Sequence, residues 1–101
     1  MATSTGFPLS DEEIAVFCRR HQIRKLSLFG SILTDRFNAE SDIDVLVEFE
    51  PGATVGLIRR AAIQLELADM VGHRIDLRTP AELSRYFRQR ILDNAEVRFV
   101  H

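Results

Sequence analysis

The chain reads as a small α/β domain with helices packed on one sheet. Three observations predict this. Ser10-Asp11-Glu12-Glu13 has the form of a capping box and opens an amphipathic stretch. Residues 43–49 alternate, with Ile43, Val45, Val47 and Phe49 on one side and Leu46 and Glu48 on the other, as a strand requires. Between Leu57 and Val71, apolar residues recur at three- and four-residue steps, which marks a helix.

Each element follows in order. Ile14, Phe17 and Cys18 at helical spacing extend the capping box into a first helix over residues 11–21. Leu26-Ser27-Leu28-Phe29 is a short strand that stops at Gly30-Ser31, and a helical turn is expected over residues 31–37, with a loop at 38–41. Residues 43–49 form the clearest strand, broken by Pro51-Gly52. Leu57, Ile58, Ala61, Ala62, Leu65, Ala68 and Val71 place an amphipathic helix that Gly72 closes. Residues 73–78 are another strand. Thr79 and Pro80 suit the cap and first position of a last helix carrying Leu83, Phe87 and Ile91 inward, and residues 96–100 close the sheet. No repeat or low-complexity tract is visible. Residues 1–9 are expected to be a flexible segment and residues 10–101 a single domain.

At 101 residues, 46% apolar and 28% charged, the composition is that of a globular protein with one core. Its apolar runs are far shorter than the ~20 residues of a membrane span. The N-terminus lacks the basic start and apolar stretch of a secretory signal. One cysteine makes no internal disulfide, which suits a reducing compartment, and the cytoplasm is the expected location. A net charge of −2 gives no reason to expect nucleic acid or a membrane surface as partner. The charges are unevenly placed. Residues 35–50 hold six acidic side chains against one arginine, and residues 74–90 hold five arginines against Asp76 and Glu82.

Asp42 and Asp44, at alternate positions, share one face of their strand, with Cα atoms about 6.5–7 Å apart. Ionised carboxylates so placed repel, and a hard divalent cation such as Mg²⁺ or Mn²⁺ removes the conflict. Asp76 lies between Ile75 and Leu77, which face the other way; if its strand neighbours the first, a three-carboxylate cluster results. Such a cluster can hold two metals about 3.5–4 Å apart, the arrangement used in phosphoryl chemistry. Taken alone, Asp-x-Asp at a strand start describes a solvated edge or a turn cap equally well. The context is Gly30-Ser31: a glycine at a strand-to-helix turn admits a ligand close to the backbone, and a helix start favours phosphate.

Leu28-Phe29-Gly30-Ser31, ten residues, then Asp42-Ile43-Asp44-Val45-Leu46-Val47 resembles the Gly-Ser-x10-Asp-x-Asp signature of the DNA polymerase beta-like nucleotidyltransferases. The length and the run Arg74-Ile75-Asp76-Leu77-Arg78-Thr79-Pro80 look like the minimal nucleotidyltransferase (MNT) branch, which includes the MntA-like antitoxins of HEPN/MNT toxin-antitoxin pairs. The resemblance covers residues 10–100. It implies a single-domain polymerase beta-like fold, a small mixed sheet with helices packed on it. It implies that Gly30 and Ser31 hold the β- and γ-phosphates of ATP, that Asp42 and Asp44 ligate two Mg²⁺ ions, and that Asp76 ligates one of them while activating the acceptor hydroxyl. It further implies a HEPN-domain toxin as partner, with AMP passing to a toxin tyrosine. Two alternatives stand beside that function: an antitoxin acting by binding alone, and a small-molecule nucleotidyltransferase with a separate substrate-binding subunit. An oligomeric assembly is left open.

The sequence departs from the family pattern in two places. Many relatives carry an arginine shortly after Gly-Ser, whereas here Ile32-Leu33-Thr34-Asp35 intervenes before Arg36, whose role stays open. Larger relatives carry a further acceptor-binding domain, whereas this sequence stops at His101, so the acceptor is expected to come from a separate molecule or to sit on a shallow surface. Among the other residues, Cys18 is expected in the core. His21, His73 and His101 are too scattered for a metal set. Tyr86 is expected to pack with the last helix. Arg85 and Arg88 line its flank, as a solvated face or as a docking surface for an acidic partner. Asp-x-Asp glycosyltransferases need a longer chain, and a dehalogenase-type phosphatase places its Asp-x-Asp after a buried strand.

Overall fold

A computed structural model describes residues 6–101. The elements run α1 (Asp11–Arg20), β1 (Ile23–Phe29), β2 (Ile43–Phe49), α2 (Leu57–Val71), β3 (Ile75–Arg78), α3 (Arg88–Asn94) and β4 (Glu96–Val100), with 3₁₀ turns at Gly30–Leu33 and Pro80–Glu82. The sheet order is β3-β2-β1-β4, with β2 and β3 parallel and the other pairs antiparallel. A right-handed crossover is the rule for such a parallel pair, and α2 supplies the connecting helix.

The capping box forms as the spacing requires: the Glu13 N–H donates to Ser10 Oγ at 3.1 Å and the Ser10 N–H to Glu13 Oε1 at 2.8 Å. Ile14, Phe17 and Cys18 of α1 then join Ile63 and Leu67 of α2 against the sheet residues Leu26, Leu28, Ile43, Val45, Val47, Ile75 and Leu77. Cys18 is fully buried, and burial pushes its thiol up to about 12, which keeps it protonated and unreactive. Phe7 and Leu9 are also buried in this core, so packed chain begins before Ser10. The rest of the expected flexible segment, residues 1–5, lies outside the described residues. Among the described residues no helix is long and apolar enough to cross a membrane.

Three elements differ from the sequence reading. β1 starts at Ile23, not at residue 26, because Gln22 takes a left-handed turn (φ 59°) that sends the chain straight from α1 into the sheet. The turn after β1 spans Gly30–Leu33 alone and ends with the Thr34 N–H and Oγ1 both donating to Ser31 O. The expected last helix is split. A 3₁₀ turn at Pro80–Glu82 leads to extended Leu83, and the helix restarts only at Arg88. Leu83 is buried, but Phe87 is 52% and Tyr86 78% exposed, so neither packs inward as expected. Arg88 holds the break instead of lining a solvated flank: its guanidinium donates to Pro80 O at 2.8 Å and Leu83 O at 2.9 Å.

α2 meets the core with only part of the expected stripe: Ala68 and Val71 pack against it. Ile63 and Leu67 are buried, whereas Leu57, Ile58 and Leu65 are 80%, 89% and 65% exposed. Two polar side chains of α2 secure the outer edge of β3. Gln64 Oε1 accepts the Leu77 N–H at 3.0 Å, and Arg60 donates to Leu77 O at 2.9 Å. An open sheet edge is thereby covered. Arg60 also grips Glu82 through both of its terminal nitrogens, which fixes the 3₁₀ turn next to β3.

Candidate active site

The sheet places the acidic residues. Asp44 in β2 lies directly opposite Asp76 in parallel β3, and opposite Phe29, the last residue of antiparallel β1. Residues so paired share a face. Their neighbours Ile43, Val45, Ile75 and Leu77 are buried in the core, so Asp44 and Asp76 look out from the opposite side. Asp42, just before β2, is on that side too by the period of two.

Gly30 completes the corner. It has φ +78°, a conformation glycine adopts without penalty. A Cβ built on it would lie 2.2 Å from Asp44 Oδ2, so the backbone turn sits directly on that carboxylate. Ser31 follows, half-buried at the head of the 3₁₀ turn. The loop leading to Asp42 is held by the His73 ring, whose Nε2 bonds to Ser41 O and which stacks 5.1 Å from Phe37.

The electrostatics distinguish the three carboxylates. Burial, followed by the charges of Asp76 and Asp42, pushes Asp44 up to about 6. Carboxylates set this close disfavour each other's ionisation, a conflict that a cation between them would relieve. Asp76 is further gripped by Arg78, whose Nε and Nη2 donate to its two oxygens at 3.0 and 3.3 Å. Asp42 is turned to Arg74, whose Nε donates to Oδ1 at 2.7 Å. As a result, no group of three or more His, Cys, Asp or Glu side chains among the described residues is gathered as a metal site would be. The expected cluster is present in strand register, while arginines hold two of its members as counter-ions.

The donor set nevertheless fits a hard divalent cation. Its oxygens are carboxylate, and Asp44 and Asp76 lie directly opposite each other on neighbouring strands. Asp42 would join such a site only by releasing exposed Arg74. The sequence reading missed both arginines. Arg74 and Arg78 lie two residues to either side of Asp76, hence on its face of the strand, and that period-two spacing was the available signal. Arg36 is exposed, and its described bonds are made by its backbone: its N–H donates to Thr34 Oγ1 at 3.1 Å and its carbonyl accepts from Asn38 Nδ2 at 3.3 Å.

A mixed sheet that carries in-register aspartates beside a glycine turn is the frame of nucleotidyl transfer. Comparison with known sequences agrees, since the profile of the nucleotidyltransferase domain family matches residues 12–98. The chain belongs to that family and is a nucleotidyltransferase. A candidate protein adenylyltransferase of Methanocaldococcus jannaschii is 32% identical over 76 residues, covering 75% of this chain and 80% of the relative. The solved structure of a candidate minimal nucleotidyltransferase superposes with a TM-score of 0.70 at 32% identity, covering 84% of this chain and 85% of the other. A chain from the complex of a tri-AMPylated Shewanella oneidensis HEPN toxin with an MNT antitoxin shares the fold, with a TM-score of 0.65 at 22% identity over 90% of this chain and 70% of its own.

Proposed function

We propose that this protein transfers AMP from ATP, with Mg²⁺, to a hydroxyl of a partner protein, a tyrosine of a HEPN toxin, and so acts as an antitoxin. The observation that carries the reading is the Asp44–Asp76 pair set against the Gly30 turn. The M. jannaschii relative, by its assigned activity, and the AMPylated HEPN toxin found with an MNT antitoxin support the acceptor class.

Asp44 and Asp76 would hold the cations, joined by Asp42 when Arg74 lets go. When bound, the cations neutralise the phosphates and stabilise the attacking and departing oxygens. Gly30 and Ser31 would receive the β- and γ-phosphates, since the absent Cβ lets the backbone approach them. The acceptor oxygen attacks the α-phosphorus, its proton passes to Asp76, and the bond to pyrophosphate breaks. The contribution of this chain is positioning and charge, which suits a reaction that needs little else.

Calorimetric titration with ATP in the presence and absence of Mg²⁺ tests the site. Metal-dependent binding by the wild type and none by Asp42→Asn/Asp44→Asn is expected. Equal affinity in the two proteins removes the carboxylates from nucleotide binding.

A further inference from the structure

Ile63 and Leu67 seat α2 on the sheet. On the opposite side of the same helix, Ile58, Ala61, Ala62 and Leu65 follow one another at helical spacing and are all exposed, with exposed Leu57 beside them. The stripe stays uncharged until Asp69, four residues beyond Leu65. Single exposed apolar side chains are ordinary, but a contiguous set marks a contact surface. Ala61 and Ala62 at its middle are small, so a second helix can approach closely there.

The charges beside the stripe say what covers it. Arg59 and Asp69 lie along the same flank of the stripe and carry opposite signs. α2 runs from Leu57 to Val71, so Arg59 lies as far before its midpoint as Asp69 lies after it. Neither charge is neutralised within the chain. Arg59 donates to Gln22 Oε1 at 3.2 Å, and among the described ion pairs it meets no carboxylate. Asp69 is exposed and takes part in no described ion pair or side-chain hydrogen bond. Glu66, which lies between them, is already engaged by Arg20 and His21. A second copy of α2 laid antiparallel about the midpoint brings Arg59 of each copy beside Asp69 of the other, and the two-fold axis makes that pair twice. The same register sets Leu65 against Ala62 of the other copy and Ile58 against its Met70. A parallel copy would set like charges and like helix ends together, which is unfavourable. The face is therefore complementary to itself.

We infer that α2 pairs antiparallel with α2 of a second copy of this chain, through an apolar seam of Ile58, Ala61, Ala62 and Leu65 closed on its flank by Arg59 and Asp69. The seam lies on the side of the sheet away from Asp44 and Asp76, so the pair leaves both aspartate sites open to an acceptor. The inference stands independently of the nucleotidyl-transfer reading.

Sedimentation equilibrium of the full chain over about 10–500 μM, the range for a seam made by a single helix, tests it. The wild type is expected to form a dimer whose fraction rises with concentration. Leu65→Glu places a charge in the seam and should raise the dissociation constant at least tenfold; Leu65 is exposed, so the variant should melt as the wild type does. Arg59→Asp and Asp69→Arg each turn two attractive pairs into repulsive ones and should weaken the dimer about threefold or more. An equimolar mixture of these two variants should regain dimer, because one copy is then acidic at both positions and the other basic at both. A wild type that stays monomeric throughout overturns the inference, as does a dimer that Leu65→Glu leaves intact. Weakening by both charge reversals without recovery in the mixture also overturns it, since the antiparallel register requires that recovery. A monomeric wild type that binds a HEPN-type protein, with Leu65→Glu losing that binding, overturns it and assigns the face to the other protein.

Discussion

Gly30 sits against the Asp44 side chain so closely that a Cβ at position 30 would lie 2.2 Å from Asp44 Oδ2. The contact joins two parts of the sequence that are fourteen residues apart, and it explains why a glycine ends β1. The turn must bring its backbone against the carboxylate that burial and Asp76 hold near a titration value of about 6.

Gly30→Ala should therefore act twice. A left-handed alanine costs about 1–2 kcal/mol of stability. The new methyl also displaces the Asp44 side chain, whose tip is the nearest atom and the part that can move. A modest fall in melting temperature with loss of metal-dependent nucleotide binding is expected. Retained binding in a folded variant would mean that the close approach has no part in the site.

Asp44→Asn should raise stability at neutral pH. Asp44 titrates at about 6 in the fold against 3.8 as its ordinary value, so its ionised form disfavours the folded state. The stability gained from binding a proton is complete below 3.8 and is lost as the pH rises through 6. At full burial the rise corresponds to about 3 kcal/mol, and screening at this half-exposed position reduces that to about 1 kcal/mol. The variant should melt about 5 °C higher at pH 7.5, with the advantage gone at pH 3.5. Thermal melts across this pH range check the sign.

Glu82 carries the opposite linkage. The hydrogen bond from Arg60 holds its carboxyl below the usual range. Its contribution is present above the ordinary value of 4.5 and is lost as the pH falls through the folded value. Arg60→Ala should weaken that acid dependence, leaving the part due to the Thr79 N–H and Arg78, and also strip Leu77 O of its partner at the β3 edge, costing about 1–3 kcal/mol. Denaturant titrations at pH 7 and pH 4 measure both effects.

Arg74→Ala should lower the Mg²⁺ concentration that half-saturates nucleotide binding. Arg74 holds Asp42 at 2.7 Å, so a cation must compete with it. Exposed pairs of this kind are weak, and the shift should be about two- to fourfold. A rise in the Mg²⁺ requirement would instead make Arg74 a positive contributor to the bound state.

Much of this was legible in the sequence for physical reasons. The capping box at Ser10 is local, and β2 shows its period of two in seven consecutive residues, so both formed as read. The facing of Asp42, Asp44 and Asp76 needed only that period and the neighbouring of two strands. α2 was harder, since its apolar residues cover more than one stripe: Leu57, Ile58, Ala61 and Leu65 follow helical spacing with Ala68 and Val71, and Ile63 and Leu67 do so as well. Periodicity alone does not say which stripe meets the sheet. The last helix failed for another reason. Thr79-Pro80 starts a helical turn as expected, but Arg88 bonds back to the carbonyls of Pro80 and Leu83, and this tertiary bond stabilises the break.

The most direct measurement of the central claim is the intact mass of a HEPN-type partner after incubation with this protein and Mg²⁺-ATP. Mass increments of whole AMP units are expected with the wild type and none with Asp42→Asn/Asp44→Asn, the tyrosine being located by fragmentation. An unmodified partner that the wild type and the double variant silence equally well would contradict the account, and would assign the antitoxin effect to binding alone.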